Sequence, residues 1–316
     1  MLTKMGVLRG VNLGGWLSQC DYSAQRLQEF IKAEDFARIA SWGLDHVRIP
    51  VDYNVLEDAQ GGYDAPGWER LDFAFAQCEM QGLKAVLDLH KTAGFSFDKG
   101  ENEAGFFDSA AYQERFYRLW EEIARRYGHL SDQVVFELLN EVTKSEYIGE
   151  WNRISNEAIR RLRVYAPNTL VLVGSYHHNS AHAVKDLAAP QDDRVLYNFH
   201  CYEPLEYTHQ GAPWVEFLDQ AARVPYAACG ADEAFFEERW ASAIEAAERN
   251  HTTLYCGEYG VIDRVAPEDA VKWFRAINAV FARHGIARAA WSYKQMDFGI
   301  GDPYWDDCRE ELLKYL

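Results

Sequence analysis

Eight short apolar runs punctuate this chain, and a helical pattern follows each of them. The runs fall at residues 6–12, 45–51, 84–89, 134–139, 169–174, 195–199, 252–257 and 286–292. Most carry apolar residues at consecutive positions rather than at alternate ones, as strands do when both faces of a parallel sheet are covered. The intervening segments have the 3.6-residue period of amphipathic helices. They are predicted at 33–42, 66–81, 112–127, 145–165, 181–188, 235–249, 267–284 and 307–315. In the third of these Phe116, Leu119, Trp120 and Ile123 share a face; in the seventh Ala270, Trp273, Phe274, Ile277 and Phe281 do. Gly43 and Gly82 supply helix stops. Eight strand–helix units in 316 residues predict an α/β fold, a (β/α)8 TIM barrel forming a single domain over residues 1–316. The one long connection, about 203–234, carries Trp214, Phe217 and Tyr226 and is expected to form a small lid or subdomain after the sixth strand.

Barrel chemistry sits at the C-terminal ends of the strands. Those positions hold Asn12 and, just beyond it, Trp16; Arg48; Asp88 and His90; Asn140 and Glu141; His200 and Tyr202; Glu258; and Trp291 with Lys294. Glu141 and Glu258 lie 117 residues apart, yet each closes an apolar run. If barrel closure brings them together, one carboxyl can protonate a leaving oxygen while the other attacks or assists at a sugar carbon. Taken singly, each residue has an ordinary alternative: Arg48 as a structural ion pair, His90 and His200 as satisfied core histidines, Trp291 as core. Their recurrence at corresponding places of separate units favours a site.

The formal net charge of −17 argues against nucleic acid or an anionic membrane surface as partner. It suits a neutral substrate, and the 14% of aromatic residues includes rings able to stack on sugar C–H faces. The six cysteines form no Cys-x-x-Cys pair and fit a reduced protein. Ten histidines are present, but none in a His-Glu-x-x-His or other ligand spacing, so no metal and no cofactor is expected. His177 and His178, after the fifth strand, are expected to be solvated or to touch substrate. There is no Gly-x-Ser-x-Gly elbow. No secretory hydrophobic region opens the chain, which fits a cytoplasmic protein or a secreted one lacking its leader. The expected state is a monomer.

The segments GVNLGGWLSQ, HVRIPVDY, VLDLH, FELLNE, YNFHCYEP, LYCGEYGV and AWSYKQMDF occur in the order found in glycoside hydrolase family 5. The chain resembles that family of retaining β-glycanases over essentially its whole length, and is most similar to the bacterial endoglucanase C-like branch that acts on β-1,4- and mixed-linkage β-glucans. The resemblance implies Glu141 as acid/base and Glu258 as nucleophile. It implies Asn140 on the sugar 2-hydroxyl, Tyr202 donating to Glu258, His200 orienting the site, and Arg48 keeping Glu258 ionised. It further implies His90 on a sugar hydroxyl and Trp291 as subsite floor. Trp16 is expected beside that floor, Lys294 on a hydroxyl, and Asn12 among the binding residues. Where the branch has His-His or His-Gly after the third strand, this chain has His90-Lys91.

The reading is therefore a retaining β-glucanase acting by double displacement, with Glu141 starting protonated because burial and a neighbouring carboxylate raise its pKa. The same chemistry on β-mannan, β-1,3-glucan or oligosaccharides trimmed from one end, an inactive carbohydrate-binding barrel, and a metal-dependent hydrolase are the alternatives.

Overall fold

The computed structural model describes residues 1–63, 65–98 and 103–316. Eight strands are present among them: β1 (Arg9–Asn12), β2 (His46–Asp52), β3 (Lys84–Lys91), β4 (Val134–Glu137), β5 (Val171–Gly174), β6 (Val195–Cys201), β7 (Leu254–Tyr259) and β8 (Ala287–Ala290). They run parallel in sequence order and close, β8 pairing with β1. Six long helices pack outside: α1 (Ala33–Ser41), α2 (Ala65–Gln81), α3 (Ala110–Tyr127), α4 (Ile148–Leu162), α5 (Glu233–Arg249) and α6 (Pro267–His284).

The two faces of each strand do different work. Outward residues such as Val47, Ile49 and Val51 on β2, or Val195, Tyr197 and Phe199 on β6, pack in the large apolar layer against the helices. Inward residues near the strand starts, Val86, Val135, Leu172, Leu196, Tyr255 and Ala287, form a separate apolar plug with Leu2 and Val7. Two residues further along the same inward faces, the side chains turn polar: Arg48, Asp88, Glu137 and Asn198 are all fully buried. The barrel interior is thus apolar at the bottom and charged from its middle to its C-terminal rim. That gradient positions the site.

Several element ends differ from the sequence expectation. Residues 6–12 are not one strand. Leu2–Met5 makes a single helical turn, ended by Gly6 at φ 81°, and this turn delivers Leu2 into the bottom plug. The segment 181–188 is a 3₁₀ stretch over Ala181–Asp186. The closing helix shrinks to Arg309–Leu312. The connection after β6 holds two one-turn helices, Leu205–Thr208 and Tyr226–Cys229. All six cysteines are free thiols.

Candidate active site

Arg48 organises the rim. Its guanidinium grips Glu137 with two bonds of 2.7 Å, from Nε to Oε2 and from Nη2 to Oε1. Nη2 also reaches Asp88 Oδ2 at 3.0 Å and Asn140 Oδ1 at 2.9 Å. Nη1 donates to Asn12 Oδ1 at 2.9 Å and to Glu258 Oε1 at 2.7 Å. Burial disfavours the Arg48 charge, but the three carboxylates outweigh it and raise its pKa well above the ordinary value. One guanidinium serving three carboxylates leaves the cluster short of positive charge. Burial, reinforced by Asp88, accordingly pushes the Glu137 carboxyl up against the pull of Arg48. A second cation is available at His90, whose Nδ1 lies 2.6 Å from Asp88 Oδ2. Burial alone lowers the His90 pKa; the charge and hydrogen bond of Asp88 more than reverse this and lift it to about 8.

Glu258 projects from β7 where its pairing with β6 and β8 shifts register. Its Oε1 is held by Arg48, and its Oε2 accepts from the Tyr202 hydroxyl at 2.9 Å. Burial and the charge of Glu258 raise the Tyr202 pKa well above its usual value, so the phenol remains a donor. Beneath Glu258 the chain needs Gly257: a β-carbon there would stand 2.9 Å from Asn198 Oδ1 and 3.0 Å from His200 Nε2.

Glu141 follows β4 with φ 42°, in the left-handed region, which turns its side chain over the barrel mouth. Its Oε1 accepts from His200 Nδ1 at 2.7 Å and its Oε2 from His178 Nδ1 at 3.0 Å. Burial raises the Glu141 pKa, yet the two imidazoles together outweigh it and the net shift is downward. This corrects the expectation of a carboxyl that starts protonated: burial acts as anticipated, but two imidazole donors prevail. Glu141, His200 and Glu258 each offer an atom within 4.8 Å of the others. Such a triad is close enough to ligate a cation. It is equally well described as an internally bonded set, since His200 already bridges towards both carboxylates, at 2.7 and 3.7 Å.

The structure therefore gathers Arg48, His90, Asn140, Glu141, His200, Tyr202 and Glu258 at one rim. Trp291 joins them: its ring lies parallel to that of His90, within 3°, with centroids 5.9 Å apart. Asn140 presents a buried Nδ2 with no partner, a donor aimed at nothing in the protein. Asn12 is fully buried and acts through others, accepting from Arg48 and donating to Gly257 O at 2.9 Å. Two expectations are corrected. Trp16 is 0% exposed, its indole N–H donates to Leu27 O, and its ring meets Phe73 edge-on, so it is core and not a platform. Lys294 pairs with both oxygens of Asp35 at 3.1 and 3.0 Å and lies over the Phe30 ring instead of entering the cleft. Sequence reasoning did not single out Glu137, Asn198 or Asn179, and it left His178 between solvent and substrate without anticipating its contact with Glu141. Glu137 left a signal, a carboxylate inside a strand buried on both faces, which demands a cation. No sequence pattern marked the contact of His178 with Glu141, because it depends on an unusual turn. Residues 177–179 all have positive φ, 51°, 56° and 54°, at a cost of roughly 1–2 kcal/mol each for non-glycine residues.

A closed parallel eight-stranded barrel carrying two bracketed carboxylates at its C-terminal rim defines a hydrolase of the glycoside-cleaving class. The family profile described as "Cellulase (glycosyl hydrolase family 5)" matches residues 8–297, and the chain belongs to that family. It is 57% identical over 288 residues to cellodextrinase A of Ruminococcus flavefaciens, covering 91% of this chain and 86% of that one. To endoglucanase C of Acetivibrio thermocellus it is 31% identical over 334 residues, covering 97% of each. Among solved structures, Thermotoga maritima Cel5A in complex with mannotriose superposes with a TM-score of 0.84 at 24% identity, covering 99% of this chain and 98% of that one, and shares the fold.

Proposed function

We propose that this glycoside hydrolase cleaves β-1,4- or mixed β-1,3-1,4-glucosidic bonds with net retention, with soluble gluco-oligosaccharides as its preferred substrates. The observation that carries the mechanism is the carboxylate pair. An oxygen of Glu141 and one of Glu258 lie within 4.8 Å of each other, a closeness that supports the ~5–5.5 Å carboxyl separation of retaining enzymes. The preference for short chains rests on the 57% identity to a protein named a cellodextrinase.

In this reading Glu258, ionised between Arg48 and Tyr202, attacks the anomeric carbon. Glu141 gives its proton to the departing oxygen, and a covalent glycosyl-enzyme forms. Attack neutralises Glu258, so the charge that Arg48 and Tyr202 had balanced is removed. Glu141, now ionised, takes a proton from water, which displaces Glu258 from the same face the leaving group vacated. The unpartnered Nδ2 of Asn140 supplies a donor for the 2-hydroxyl, and Trp291 floors the sugar under attack. No step calls on a metal.

Azide rescue tests the two roles. Glu258→Ala abolishes turnover, and azide restores cleavage of an aryl β-cellobioside to give the α-glycosyl azide. Glu141→Ala retains reaction with a good leaving group, loses ~10²–10⁴-fold on poor ones, and gives the β-azide. Exchange of the two anomers reverses the assignment. On the wild type, barley β-glucan and cellodextrins are cut ahead of mannan, and a chelator leaves activity unchanged. Faster cleavage of mannan rejects the substrate class, and loss of activity with chelator rejects the metal-free mechanism.

A further inference from the structure

Both oxygens of Glu141 are occupied by imidazole donors, and a general acid needs one of them free. The two imidazoles are held in different ways. His200 is buried, with a side chain 2% exposed, and is fixed from behind by Asn179, whose Nδ2 lies 3.3 Å from Nε2. Asn179 itself fits only because β5 ends in glycine: a β-carbon on Gly174 would lie 2.2 Å from Asn179 Oδ1. His178 is the opposite case. Its side chain is 54% exposed, and it hangs from the outer side of the left-handed turn, whose backbone is tied to the Glu141 loop by His178 N–H donating to Val142 O at 3.1 Å. One turn thus braces the inner oxygen of Glu141 through a buried partner and meets the outer oxygen with an accessible one.

We propose that His178 is a positioning residue for Glu141. It holds the outer carboxylate oxygen in the unliganded site, keeping Glu141 ionised, and yields that oxygen when the leaving-group sugar enters. After the first product departs, His178 returns to Oε2 and favours the ionised form that the second step requires. The inference rests on the reading of Glu141 as acid/base. Other groups face the same carboxylate: His200 and Tyr202 from β6 and its end, Glu258 from β7, and His209 from the connection after β6. His178 in turn feels Glu258 and Asp98, so its own affinity for a proton is raised, chiefly through Glu141.

The test is the pH profile of kcat/KM for a phenyl β-cellobioside, whose basic limb reports loss of the Glu141 proton. His178→Ala removes the donor that stabilises the carboxylate, so the basic limb moves to higher pH by roughly one unit. For a 2,4-dinitrophenyl β-cellobioside, limited by deglycosylation, the acidic limb of kcat moves in the same direction. His178→Asn tolerates the positive φ and sets an amide nitrogen where Nδ1 stood, so its limbs fall between those of wild type and His178→Ala. Rates that drop with both limbs unmoved, in either variant, overturn the proposal and leave the turn a structural element. Glu141→Gln keeps the two failures apart. If the basic limb vanishes in Glu141→Gln but stays fixed in His178→Ala, the acid/base reading stands and the role of His178 falls. A basic limb that persists in Glu141→Gln removes both.

Discussion

Arg48 is the residue on which most of the rim depends, because Glu137, Asp88 and Glu258 have no other strong cation in common. Arg48→Ala leaves Glu137 and Glu258 without their arginine and Asp88 with His90 alone, and loss of one partner of a buried pair costs ~3–5 kcal/mol. Urea unfolding at pH 7 is expected to show a loss of at least that order. Arg48→Lys recovers only part of it, since an ammonium cannot reproduce the two-pronged grip on Glu137. A loss below ~1 kcal/mol for Arg48→Ala would mean the charges are solvated in a way the buried geometry does not allow. His90 makes a second, pH-dependent contribution. Its pKa is raised to about 8 by Asp88, above the ~6.5 of an unfolded histidine. The protonated pair therefore stabilises the fold fully below about pH 6.5, and that stabilisation, ~2 kcal/mol, is lost as pH rises through 8. Wild type minus His90→Gln, followed by denaturation across pH 6–9, should converge over this window; a difference that grows with pH contradicts the pairing. At this scale the strand-end residues Arg48, His90, Asn140, Glu141, His200, Tyr202 and Glu258 were legible because each interrupts an apolar run. Trp16 and Lys294 were misjudged because position next to a strand end does not say which way a side chain turns. The protonation of Glu141 was misjudged because two imidazoles hold its oxygens, His200 from β6 and His178 from a turn with no sequence signature.

Among elements, the strands were more legible than the connections. Two-sided burial writes itself into consecutive apolar residues, and the long amphipathic helices into a 3.6-residue period. The one-turn helix Leu2–Met5 and the 3₁₀ stretch Ala181–Asp186 have no such period, and the left-handed turn at 177–179 runs against intrinsic preference. Tertiary contacts set all three. The connection after β6 is the element most exposed to a functional test. Tyr202 touches His209, which contacts Phe298 and the edge of Trp214, and Trp214 and Phe217 are 46% and 73% exposed. A ring series thus runs from the Glu258 side of the rim to an open aromatic surface. Shortening residues 212–224 is expected to change the length of products released from cellohexaose while aryl β-glucoside hydrolysis stays within about twofold, a ~0.4 kcal/mol effect. Equal losses on both substrates would assign the segment to barrel stability instead of chain-length selection.

For the whole molecule, barrel closure converts residues 117 positions apart into neighbours, and no local pattern records that contact. It was legible only through the count of strand–helix units, which fixes where strands four and seven must end. The surrounding physics agrees across levels: an apolar plug at the barrel floor, a charged middle layer, and a rim where two carboxylates are bracketed by an arginine, a tyrosine and two histidines. The net charge of −17 fits a neutral carbohydrate substrate. Among the described residues no helix is long and apolar enough to cross a membrane. The central claim is that Glu258 attacks the anomeric carbon from one face while Glu141 serves the opposite face, first as acid to the leaving group and then as base to water. Proton NMR of the first product released from an aryl β-cellobioside tests this most directly. Resonances of the β-anomer should appear first, with the α-anomer growing in only as mutarotation proceeds. An initial α-anomer would show a single inverting displacement and contradict the covalent route through Glu258.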